Sequence, residues 1–301
     1  MIKPEFIEKA VDIDIHTVVS DLYTEGKIVK RGIHHACCCP FHKEDTPSFY
    51  INSLTNRFHC FGCGESGDTI EFVRKIKNMD FESAVTYILK NYRQDIDIDS
   101  IHFQRSSEEE EQYREKETMY IYNQYAQEFF RKEYMADNEE ATIARHYAEY
   151  SKAAAEKTGV PSHGRWNNEF TSFLGIGYAP KKGNKFLHYA IEKGLRLDIL
   201  EKIGLIVRRD TAKENSTSPD DYYDFFRGRI MIPQRDKAGR VVTFTARLIE
   251  CKKGDAKYLN TKDSPIYTKS GSIFGIDTAI RPIREQGKVY LVEGAPDAMR
   301  L

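Results

Sequence analysis

Two short cysteine and histidine clusters restrict the fold more than any other feature of the chain. Cys39-Pro-Phe-His42 is followed, after 17 residues, by Cys60-Phe-Gly-Cys63. In each cluster a tight turn brings two ligand-type side chains within a few ångströms of one another, and a hairpin carrying both clusters closes a tetrahedron around one ion. Thiolates mixed with an imidazole favour Zn²⁺. The intervening stretches, Ser48 to Asn52 and Arg57 to Cys60, read as the two hairpin strands, joined by a Ser/Thr/Asn-rich turn. With all four positions filled by protein, Zn²⁺ is expected to be structural, with no activated water.

The expected ligands are Cys39, His42, Cys60 and Cys63. Cys37 or Cys38 offers an alternative to Cys39, but only Cys39 leaves a two-residue gap before His42. His34, His35 and His59 are surplus to a set of four. The sixth cysteine, Cys251, is far from the cluster, so the pattern indicates a local metal site and reduced thiols in place of a disulfide framework. Acidic residues interrupt the amino-terminal MIKPEFIEKAVDID, and no apolar run approaches the roughly 18 residues that span a bilayer. A cytoplasmic protein without a membrane segment is expected.

A chain of 301 residues has room for about two domains. Helices are expected at Pro4 to Val11 and near Ile15 to Tyr23, and after the cysteines at Asp68 onward, where Asp68 and Glu71 form a capping box, and at Phe81 to Leu89. Residues 1–92 form the first domain. Residues 93–111, polar and acidic, read as a linker whose acid run is a tether or a helix start. Residues 112–286 form the second domain, with helices at Gln112 to Arg131, Glu139 to Lys157, Asn184 to Lys193 and Asp198 to Ile203. An antiparallel hairpin of Arg229 to Gln234 and Val241 to Leu248, turning at Asp236 to Gly239, should face inward on one side only. Residues 287–301 open a further unit: Lys288 to Val292 is nearly continuous in apolar character, as in a strand covered on both faces, and ends at Glu293-Gly294. The fold class is α+β and multidomain. Net charge is −1, so any hold on nucleic acid must come from local basic patches. On the ribbon, Lys43, Phe49, Tyr50, Arg57 and Phe61 combine charge with aromatic faces, which suits single strands.

CCPFHKEDTPSF, FHCFGCGESGD and the following IEFV resemble the CHC2 zinc ribbon of bacterial DnaG-type primases. FLGIGYAP, FRGRIMIPQRDKAGRVVTFTARLI, KYLNT, SIFGI and VYLVEGAPDAMRL then resemble, in order, the primase polymerase domain and the opening motif of its TOPRIM fold. The resemblance implies RNA primer synthesis on single-stranded DNA from ribonucleoside triphosphates, with catalytic Mg²⁺ and a replicative helicase as partner through a region outside this chain. It makes Glu293 a Mg²⁺ ligand, with Asp297 in the second acidic place, and sets Arg229, Lys237, Arg247 and Lys257 among the basic residues of the cleft. A carboxylate at the carboxyl end of a buried parallel strand fits that role, since ligands bind there in α/β sheets. The family carries an arginine where this chain has Phe173. The aspartates that complete the TOPRIM metal site are expected beyond Leu301. The alternative is a primase-like accessory protein of a mobile element that holds single-stranded DNA without making primers.

Overall fold

The computed structural model describes residues 2–24, 26–32, 34–101, 106–150, 166–212, 218–250 and 254–299. They gather into two units: Met1–Glu110 with Arg235–Gly239 and Gly275–Leu291, and Glu111–Gln234 with Arg240–Phe274 and Val292–Leu301. Cys251 and the end of the helix expected to reach Lys157 lie outside the described residues. Among the described residues no helix is long and apolar enough to cross a membrane.

In the first unit, α1 (Pro4–Val11) and α2 (Ile15–Leu22) precede strands β1 (Val29–Arg31), β2 (His34–Cys37), β3 (Phe49–Asn52), β4 (Arg57–Cys60) and β5 (Ser66–Asp68). These pair antiparallel in sequence order, so the expected two-stranded hairpin is the centre of a five-stranded sheet. Helices α3 (Thr69–Lys77) and α4 (Phe81–Tyr92) follow, each opened by an aspartate: Asp68 accepts from the Glu71 amide and Asp80 from the Ser83 amide. Phe49, Phe58 and Phe72 are fully buried and meet Phe41, Phe49 stacking on Phe58 at 5.0 Å between ring centroids. Asn56 sits in the hairpin turn at φ 55°, accepts from the Ile15 amide and donates to the carbonyls of Val11 and Ile13. The turn is thereby fastened to the junction of α1 and α2.

The stretch read as a linker is more ordered than its composition suggested. Ile101 is fully buried against the core of the first unit. The acid run begins α5 (Ser107–Met135), where Ser106 and Glu109 exchange side-chain and backbone hydrogen bonds as a capping box. Acidic side chains are favourable there, against the positive end of the helix dipole.

The second unit continues from α5 with α6 (Glu139–Ala148), β6 (Glu149–Tyr150), β7 (Trp166–Asn167), α7 (Asn168–Leu174), β8 (Gly177–Ala179), α8 (Lys185–Glu192), α9 (Leu197–Lys202), β9 (Ile206–Arg208), β10 (Tyr222–Asp224), β11 (Arg229–Arg235), β12 (Val241–Leu248) and β13 (Tyr258–Asn260). The main sheet runs β13-β12-β11-β8. Here the expectation of a one-sided hairpin fails: every residue of β11 is buried, and so are six of the eight in β12. Each face of β11 feeds its own core. Met231 packs with Phe129, Phe130, Phe186 and Phe244, while Ile230 and Ile232 pack with Tyr134, Trp166 and Ile176. The first cluster requires α5 to approach β8 closely, because a Cβ on Gly177 would lie 2.5 Å from that of Phe130.

Two helices remain, α10 (Ile276–Gln286) in the first unit and α11 (Ala295–Ala298) in the second. The strand expected over Lys288 to Val292 does not form, and Val289, Tyr290 and Leu291 are 65%, 79% and 85% exposed. A strand exists only with a neighbour to hydrogen-bond, and no described strand runs beside this segment.

Candidate metal centre and nucleic-acid interface

The register of β3 and β4 builds the metal centre. Phe49 lies opposite Cys60, which places the loop entering β3 beside the turn leaving β4, and the Phe61 amide donates to the Ser48 carbonyl at 2.8 Å. Cys39, His42, Cys60 and Cys63 thereby converge, with one ligand atom from each lying within 4.8 Å of all the others. Cys39 Sγ is 3.8 Å from Cys63 Sγ, and Cys60 Sγ is 3.8 Å from His42 Nδ1. Bonds of about 2.3 Å from Zn²⁺ to sulfur at the tetrahedral angle imply sulfur–sulfur edges of about 3.8 Å, so the donors fit that ion. The amides of Phe41 and Cys63 point at Cys39 Sγ and Cys60 Sγ, at 3.3 and 3.5 Å. The hydrogen bond between them pulls the Cys60 thiol down, against the effect of burial, and pushes Cys39 up.

Cys37 is fully buried in the core of the unit, and burial pushes its thiol up to about 12. It stands outside the cluster, as do Cys38, His34, His35 and His59. Glu44, which drew no notice in the sequence, lies against the centre. Burial raises its carboxyl, but hydrogen bonds from Ser48 and from the Cys39 amide, with His42 beside it, bring the net shift below the ordinary range. Its position two residues after a ligand was the available signal.

On the ribbon surface, Lys43 and Phe61 are exposed and Tyr50 is half-buried. Phe61 meets the rings of Tyr50 and His59 edge-on, at 5.2 and 4.6 Å. Two other ribbon residues are enclosed. Phe49 is fully buried in the aromatic core, which leaves no face for a base to stack on. Arg57 is 3% exposed and its Nη1 is 2.9 Å from Asp277 Oδ2, so its charge is spent inside the first unit. Asp68 and Arg235 are buried nearby. Burial raises Asp68 to about 6 although Arg57 opposes it, and burial with Arg57 lowers Arg235 to about 10.

In the second unit Arg229 starts β11 and is 8% exposed, its Nη1 reaching the Lys257 carbonyl at 3.5 Å, while the Lys257 side chain is exposed. Arg247 is 4% exposed, clasped by the rings of Tyr147 and Tyr258 with its Nε donating to the Tyr147 hydroxyl. Arg229, Arg247 and Lys257 thus belong to one neighbourhood, because Arg247 is registered opposite Tyr258. Lys237 belongs to the first unit, in the turn after β11, with its ammonium 3.5 Å from Glu8. Glu293 and Asp297 are exposed, before and within α11. The two tyrosines around Arg247 were not anticipated, since Tyr258 reaches it through the pairing of β12 with β13 and Tyr147 comes from α6, 100 residues earlier.

Residues 2–104 match the family described as CHC2 zinc finger, and residues 160–280 the one described as DNA primase catalytic core, N-terminal domain. A DNA primase of Myxococcus xanthus is 32% identical over 272 residues, covering 90% of this chain and 40% of the relative. One from Aquifex aeolicus is 30% identical over 292 residues, covering 96% of this chain and 50% of the relative. The crystal structure of the zinc-binding and RNA polymerase domains of Aquifex aeolicus primase is similar with a TM-score of 0.58 at 26% identity, over 98% of this chain and 63% of that one. The chain spans about half or less of the length of these curated relatives. From the donor set, the ribbon topology and these matches, the chain carries a structural zinc site in a CHC2 ribbon, followed by the amino-terminal domain of a DnaG-type primase catalytic core.

Proposed function

We propose that the chain grips single-stranded template and forms the amino-terminal part of the catalytic core of a DNA primase, which makes short RNA primers from ribonucleoside triphosphates. The observation that carries this reading is the succession, in one chain, of a closed zinc ribbon and a primase core domain, alignable with named DNA primases over nine-tenths of its length. On the ribbon, Phe61 with Tyr50 supplies a stacking surface and Lys43 a phosphate contact. In the core, Lys257 meets phosphate directly, whereas Arg229 and Arg247, largely enclosed, hold the local surface positive.

Glu293 and Asp297 offer hard oxygen donors suited to Mg²⁺, which commonly takes one or two carboxylates together with substrate phosphates. When bound, Mg²⁺ would neutralise charge developing on the transferring phosphoryl group. Two carboxylates leave most of an octahedral Mg²⁺ shell to waters, nucleotide phosphates and other protein oxygens. The second reading, an accessory protein that binds DNA without synthesis, is not favoured by relatives that are named primases.

The test is a pair of assays. Fluorescence anisotropy with labelled single-stranded DNA at two salt concentrations should show binding that weakens with salt and with Lys257→Ala. Incubation with template, ribonucleotides and Mg²⁺, using the polypeptide continued to the length of its relatives, should yield RNA that Glu293→Gln abolishes with zinc content unchanged. Absence of DNA binding would refute the reading, and binding with no RNA product would favour the accessory protein.

A further inference from the structure

We propose that Glu44 is the positioning residue of the metal centre, holding the His42 ring from the side opposite the metal and tying both knuckles together. The side chain is 11% exposed and its two oxygens have four neighbours. Oε1 accepts from the Cys39 amide at 2.7 Å and from the Ser48 amide at 3.1 Å. Oε2 accepts from the Ser48 hydroxyl at 2.5 Å and lies 3.1 Å from His42 Nε2. Two carboxylate oxygens have about four lone-pair sites, so the group is saturated.

The ring orientation gives the last contact its meaning. His42 turns Nδ1 toward Cys60 Sγ, at 3.8 Å, and therefore toward the metal position. A neutral imidazole that ligates through Nδ1 carries its proton on Nε2, the atom that faces Glu44. A carboxylate accepting from the distal N–H of a metal-bound histidine fixes both tautomer and ring angle. The same carboxylate reaches the other knuckle, because the Ser48 hydroxyl that it holds is 3.2 Å from Cys60 Sγ. Glu44 thus touches the backbone of one ligand and the ring of a second, and acts through one hydroxyl on a third.

A simpler role would be to cap the loop backbone alone. Glu44→Gln separates the two. The amide oxygen can still accept from the Cys39 and Ser48 amides, but the NH₂ then faces two donors, the His42 N–H and the Ser48 hydroxyl. Competition with a chromophoric chelator would measure zinc affinity of the whole chain, and the visible bands of the Co²⁺-substituted protein would report ligand geometry. The expected result for Glu44→Gln is a loss of zinc affinity of about 10- to 100-fold and displaced Co²⁺ bands. The same substitution in a His42→Cys background, which has no ring N–H, should cost under about threefold, so the two changes are coupled. Wild-type affinity and Co²⁺ bands in Glu44→Gln would overturn the proposal. So would an equal loss in both backgrounds, or failure to fold in both, since each assigns Glu44 to the loop alone. Folding only in the His42→Cys background supports it.

Discussion

Asp68 poses a question of sign that a pH series can decide. It is 5% exposed, its Oδ1 caps α3, and Arg57 is close by, so desolvation and attraction push its carboxyl in opposite directions. Desolvation wins, and the group sits near 6 in the fold against an ordinary value of 3.8. The difference corresponds to about 3 kcal/mol, as an order of magnitude. Between about pH 4 and 6 the folded chain holds more protons than the unfolded one, so Asp68 contributes stability that is present at low pH and lost as pH rises through 6. Asp68→Asn keeps the helix cap, because asparagine caps about as well as aspartate, and removes the titration. Relative to the parent, the variant should therefore gain on the order of 3 kcal/mol between pH 4 and 7. Urea unfolding of the two zinc-loaded proteins at matched pH values measures this, and proton competition for the zinc ligands, common to both, cancels in the difference. A variant that loses stability relative to the parent as pH rises would refute the reasoning, for it would mean that attraction to Arg57 outweighs burial.

Three further outcomes follow from contacts already described. Phe58→Ala removes a fully buried ring that meets Phe41, Phe49 and Phe72, and should cost about 3–5 kcal/mol in urea unfolding of the first unit. Gly62→Ala would set a Cβ 2.6 Å from His42 Nε2 and 2.9 Å from Ser48 Oγ, so the ring must move; a loss of about 1–3 kcal/mol in the zinc-loaded protein is expected. Removing zinc with a chelator should unfold the ribbon hairpin while α5 and the β13-β12-β11-β8 sheet keep their amide exchange protection, because that sheet has cores of its own.

What could be read in advance divides along the range of the interactions. The zinc ligands were legible because their chemistry is written in short spacings: a gap of two residues defines a knuckle, and two knuckles define a site. The boundaries of α1 and β4 followed equally from local signals, a proline at the first helical turn and a run of strand formers ending at a ligand. The failures depended on partners distant in sequence. Phe49 and Phe61 look alike as aromatic residues of one hairpin, yet Phe49 is buried while Phe61 is 46% exposed, because Phe49 meets Phe72 of α3 and Phe41, whereas Phe61 lies past the end of β4. Arg57 reads as a phosphate contact until Asp277, 220 residues away, is beside it. The apolar run from Val289 to Leu291 shows the same dependence in reverse: its composition is that of a covered strand, but burial belongs to a sheet and not to a segment, and no described strand takes it up. Residue type thus fixed which atoms were able to coordinate, stack or pair, and only the assembled neighbours decided which of them do.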